Sequence, residues 1–171
     1  MNQVSINPSI NLSEHFTLGE VTKSKHAEIY NIPSHVAFEN LKRVCEWLEK
    51  LRERYNRNYV LVQTTPTPPD SGGEIDTEEP IMINSGYRSP ELNKKVGGSP
   101  TSNHLTGCAV DIRVVGIEQA MRYAVILMDY ADETKQDYDE LLIERNRSSG
   151  YWLHFAVRPK DNRRKTMFIQ K

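Results

Sequence analysis

Apolar and polar positions along the chain follow two periods. From Ser34 onward, Ala37, Leu41, Val44, Cys45, Leu48 and Leu51 recur three and four residues apart. That spacing predicts an amphipathic helix with one buried stripe and Ser34 as its cap. Charged residues such as Glu39, Lys42, Glu46 and Lys50 cover its other faces, and the pattern ends near Tyr55 to Arg57. Thr17-Leu18-Gly19-Glu20 predicts an earlier helical turn capped by Thr17. Ile117, Met121, Ala124, Val125 and Met128 predict a second long helix over 117–130, with these residues as its apolar face.

The other period is two. Segments 81–85, 108–115, 140–144, 151–157 and 166–170 predict strands, and Tyr59-Val60-Leu61-Val62 a further short one. Residues 86–90 read as a turn, 91–96 as a helical turn, and 146–150 as a hairpin loop. Helices come first, then strands with one helix inserted, which is an α+β order. The expected fold is a small, mostly antiparallel sheet packed against N-terminal helices and one inserted helix. A length of 171 residues suits a single domain, 1–171. Within it, a stretch rich in Pro, Gly and acidic residues at about 63–80 can continue neither a helix nor a central strand. It is expected as a flexible insertion.

Composition acts mainly by exclusion. Lys plus Arg is 22 and Asp plus Glu is 23, a formal charge of -1. No basic excess exists to follow a phosphate backbone, so a nucleic-acid partner is not expected. No apolar run is long enough to span a bilayer. The opening residues, MNQVSINPSINLSEHF, lack the basic and apolar regions of a secretory signal. A chain cytoplasmic as synthesised is expected. Cys45 and Cys108 read as small buried hydrophobes, and no C-x-x-C is present to suggest a thiolate site.

The histidines are more informative. His15, His26 and His35 sit among charged neighbours and read as surface residues. His104 ends the polar loop Ser102-Asn103-His104 ahead of a strand. In that strand Asp111 shares a face with Ala109 and Arg113. A carboxylate in an apolar strand needs a cation, and Arg113 or a metal are the two candidates. His154 shares a face with Trp152 and Ala156, whereas Leu153, Phe155 and Val157 read as core. Two imidazoles and one carboxylate make a three-ligand set of the catalytic zinc type, with a fourth position open for water.

Ser102 to Asp111 fits S-x-H-x-x-G-x-A-x-D in full, with Ser85-Gly86-Tyr87-Arg88 before it and Trp152-Leu153-His154 after it. In this the chain resembles the zinc D-alanyl-D-alanine peptidases, a family of D,D-carboxypeptidases, D,D-dipeptidases and phage endolysin peptidases. The resemblance covers roughly 12–157. It implies that His104, Asp111 and His154 bind Zn2+, and that Arg88 contacts substrate and stabilises the developing oxyanion. It also implies that Ser102 lies near the substrate. Peptidoglycan stem peptides become the expected partner, reached after release or export by another route.

One part departs from the pattern. Relatives carry a carboxylate three residues before the last ligand, or a histidine two before it; here Tyr151 and Trp152 stand there. Glu144 is the substitute general base, at the end of a segment, 139–144, that resembles the D-Q-x-I-x-E strand of a subgroup. Asp139 is expected to be structural or to orient a ligand histidine. The implied activity is an endopeptidase acting on stem peptides or cross-links. A D-Ala-D-Ala carboxypeptidase and an inactive zinc-containing peptide-binding module are the alternatives.

Overall fold

A computed structural model describes residues 7–60 and 78–171. Most of the expected insertion at about 63–80, and Leu61 and Val62 before it, lie outside the described residues. Thr17 closes a capping box with Glu20 at the start of α1 (Leu18–Thr22). Ser34 caps α2 (His35–Tyr55), its hydroxyl accepting from the Ala37 amide. The predicted stripe is the buried face of α2: Leu41, Val44, Cys45, Leu48 and Leu51 have no exposed surface. Beyond it, Asn56–Val60 continues as a turn of π-helix. Tyr59 and Val60 are therefore helical, against the expected strand: they prolong the α2 pattern, and Tyr59 stacks 5.5 Å from Tyr55.

Next come β1 (Ile83–Ser85) and α3 (Pro90–Lys95), the latter capped by Ser89. A 3-10 turn, Asn103–Thr106, leads into β2 (Ala109–Arg113). Then follow α4 (Ile117–Thr134), β3 (Glu140–Arg145), β4 (Tyr151–Ala156) and β5 (Lys165–Gln170). The strands form one sheet in the order β1-β2-β4-β3-β5. All pairings are antiparallel except β3 with β5, which is parallel. The α+β class stands, with a mixed sheet. The parallel pair arises because the chain leaving β4 crosses the end of β3 before entering β5. Asp139 anchors that crossing: its carboxylate takes Arg163 Nε at 2.8 Å and Arg158 Nη2 at 2.7 Å.

Helices α2 and α4 cover one face of the sheet. Val110, Ile112, Leu141, Leu153 and Phe155 point into that core, where Phe155 meets Trp47 of α2 at 5.4 Å. The face of α4 differs from the expected one. Ala120, Tyr123, Ile126, Leu127 and Ala131 are buried, whereas Ile117, Met121 and Val125 are largely exposed. Two apolar stripes run along this helix, and the one holding Tyr123 packs edge-on against Tyr55 at 4.8 Å. Only Ala124 and the partly buried Met128 of the expected face join the core. Cys45 and Cys108 are free and buried, as expected.

Candidate metal centre

Strand alternation hands the second face of the sheet a different set of side chains. Asp111 on β2 lies opposite His154 on β4, and His154 lies opposite Leu142 on β3. Ala109, Ala156 and Leu142 are the apolar neighbours on this face. His104 reaches it from the 3-10 turn. That turn ends at Gly107, whose φ of 72° is left-handed. A Cβ there would also meet the Ala37 carbonyl oxygen at 2.3 Å. Glycine is thus required on both counts for α2 to sit against the loop.

Three donor atoms converge. His104 Nε2 lies 3.3 Å from His154 Nδ1 and 3.3 Å from Asp111 Oδ1. His154 Nδ1 lies 2.9 Å from the same oxygen. Tetrahedral zinc with bonds of about 2.0–2.1 Å separates its ligand atoms by about 3.3 Å. The donor set therefore fits such an ion. All three residues are buried, and among the described residues no other group of His, Cys, Asp and Glu is placed to hold a metal. His104 is oriented by its other nitrogen, which lies 2.6 Å from the Gly86 carbonyl oxygen. Gly86 is itself packed so closely that a Cβ would strike the Val21 carbonyl oxygen.

The electrostatics match the geometry. Burial opposes the Asp111 charge, but His104 and His154 outweigh it and hold the carboxyl well below the usual range. Burial likewise opposes charge on His154; the Asp111 and Glu140 carboxylates raise it to about 9. Two carboxylates thus face one ring, an arrangement that calls for positive charge.

The partner of Asp111 within the protein is Arg88, not Arg113. Arg88 Nη2 donates to Asp111 Oδ2, while its Nε donates to Ser85 Oγ at 2.9 Å. Arg113 stands exposed at the end of β2, opposite Trp152. Ser102 caps the 3-10 turn, accepting from the His104 amide at 3.3 Å. Glu144 is buried on the His154 face, opposite Trp152, and forms an ion pair with Lys171. The Lys171 ammonium also sits 5.1 Å from the Trp152 ring centroid. Arg88, Ser102, His104, Asp111, Glu144 and His154 all line one cleft of about 850 Å³.

Asp139 is brought near the loop rather than to a histidine. Fully buried, it takes Asn103 Nδ2 at 2.7 Å as well as the two arginines. The carboxylate that meets His154 is Glu140, 3.5 Å from Nε2. Sequence reasoning passed over it, although alternation along β3 places Glu140 on the same face as Glu144. The His154 ring beside it is the largest cause holding its pKa down to about 2. His15 and His26 pair with Glu49 and Glu28, away from the site.

Among the described residues no helix is long and apolar enough to cross a membrane. No curated protein matches the chain. The family model described as Peptidase M15 matches residues 74–138, a stretch that holds Arg88, His104 and Asp111 and ends before Glu140, Glu144 and His154. That match and the ordered histidine-aspartate motif support membership of the zinc D-alanyl-D-alanine peptidase family, M15, for this chain.

Proposed function

We propose that this chain is a zinc peptidase that hydrolyses a peptide bond in the stem peptide or cross-link of peptidoglycan, acting as an endopeptidase. The observation that carries the reading is the convergence of His104 Nε2, Asp111 Oδ1 and His154 Nδ1 at the floor of the Arg88 cleft. These three residues would hold the metal. Zinc in such a set supplies Lewis acidity, lowering the pKa of water to about 7 and polarising a carbonyl.

The remaining work falls to the side chains. Glu144 takes the proton of the attacking water and returns it to the departing amine. Its place on the His154 face of the same cleft supports that role. Arg88 stabilises negative charge developing on the carbonyl oxygen, for which a permanently charged fork of donors is suited. Through Asp111 it is already anchored at the metal residues. Ser102 holds the loop that carries His104 and borders the substrate path.

One observation favours a second reading. The Lys171 ammonium occupies the carboxylate assigned as base, as a peptide-binding module without turnover would allow. Muropeptide digests analysed by mass spectrometry separate the readings. New internal cleavage products support the endopeptidase, loss of one terminal residue the carboxypeptidase, and no product the binding module. For the metal, the Asp111→Ala chain is expected to lose both zinc and cell-wall lysis. Full retention of both would overturn the proposal.

A further inference from the structure

The two histidines enter the cluster through different ring nitrogens. His104 presents Nε2, because its Nδ1 is engaged by the Gly86 carbonyl. His154 presents Nδ1, so its Nε2 is the nitrogen that needs a partner. Among the described residues, the group that faces it is the Glu140 carboxylate, with Oε2 3.5 Å from Nε2. Glu140 lies opposite Ala156, two residues along β4 from His154, and strand alternation turns it to the ring's side of the sheet.

The carboxylate is held from several directions. Its Oε2 also accepts from Asn103 Nδ2 at 3.0 Å. Its Oε1 faces Arg163 Nη2 at 2.9 Å and Lys165 Nζ at 3.5 Å. Asn103 is the residue before His104 in the 3-10 turn. One carboxylate therefore links the loop that carries His104 to the ring of His154. Glu140 meets that ring at Nε2, whereas the ring's donor to the cluster is Nδ1. This separates its task from the proton transfer assigned to Glu144.

We propose that Glu140 is a positioning residue of the metal centre: it accepts the Nε2–H of His154 and so presents Nδ1 of that ring toward Asp111 and His104. The inference rests on the metal-site reading above. Carboxylate partners of this kind fix the tautomer and raise the basicity of a ligand imidazole. Their loss costs about 10–100-fold in metal affinity. A purely structural clip between Asn103, Arg163 and Lys165 would move stability and leave affinity unchanged.

The test titrates the metal-free full chain with Zn2+ against a chromogenic chelator, for wild type, Glu140→Gln and Glu140→Ala. Circular dichroism establishes that each is folded. Glu140→Ala is expected to bind Zn2+ about 10–100-fold more weakly. Glu140→Gln keeps volume and an acceptor and is expected to fall between; it carries the test if the alanine variant fails to fold. Long-range 15N–1H NMR of the zinc-loaded wild type is expected to show the His154 proton on Nε2. Wild-type affinity in both folded variants, or a His154 proton on Nδ1, would overturn the inference alone. A wild-type chain that binds no Zn2+ would overturn the metal-site reading and this inference with it.

Discussion

Glu140 and Glu144 share one strand and one face, yet their surroundings divide the labour between them. Glu140 faces His154, Asn103, Arg163 and Lys165. Among the described residues, Glu144 is paired with the Lys171 ammonium alone. The proposed mechanism uses that difference, because a base must exchange protons with substrate while a positioning group must stay fixed. Glu144→Gln is expected to lower muropeptide turnover by about 10²–10⁴-fold, the usual worth of a general base, with zinc content unchanged. Turnover at the wild-type level would remove Glu144 from the role. At this scale the sequence was legible wherever chemistry is local. The S-x-H-x-x-G-x-A-x-D spacing places His104 and Asp111 in a loop and the strand it feeds, and alternation separates His154 from Phe155. Arg88 as the partner of Asp111 was hidden, because that pairing depends on how the turn after β1 folds over β2. Arg113, two positions along the same strand, was the nearer candidate in sequence and the wrong one in space.

At the scale of elements, α4 shows what periodicity leaves open. Its apolar residues satisfy helical spacing on two stripes, and spacing alone does not choose between them. The sheet and α2 choose the stripe with Ala120, Tyr123, Ile126, Leu127 and Ala131, where small residues admit close packing beside one tyrosine. Leu127→Ala is therefore expected to cost about 2–5 kcal/mol, as a buried leucine does. Met121→Gln, on the exposed stripe, should stay within about 0.5 kcal/mol. Chemical denaturation of the two variants checks this, and the reverse order would restore the stripe expected from sequence. The strands were easier to read, since the acids and the histidine fall on one face of each: Asp111 in β2, Glu140 and Glu144 in β3, His154 in β4. The parallel pairing of β5 was not readable, because it follows from a crossover held by Asp139, Arg158 and Arg163 rather than from any feature of β5 itself.

For the molecule as a whole, the Asp139 anchor links stability to pH. Burial opposes its ionisation, but hydrogen bonds from Arg163, Asn103 and Arg158 prevail and hold its carboxyl below the ordinary value. A lowered folded-state pKa stabilises the fold above the unfolded value of about 3.9 and loses that stabilisation as pH falls through the folded value. At pH 7 Asp139→Asn is expected to be less stable than wild type by about 1–3 kcal/mol, the cost of unmatched hydrogen bonds at a buried carboxylate whose arginine partners are partly exposed. The gap between the two should narrow steadily below about pH 4 in denaturant titrations. A gap that is constant with pH would mean that the aspartate charge is not what holds the crossover. The alternation of the sheet has one more consequence. Asp111 and His154 pair directly, and Glu140 and Glu144 flank them on β3. A slip of β4 by one residue would turn His154 into the apolar core and bring Leu153 and Phe155 out to the cleft. Misaligned strands would thus set an imidazole among apolar side chains and leave acidic neighbours without it. The residues that build the cleft therefore also act as a proofreading mark, making the wrong alignment of this sheet the unstable one.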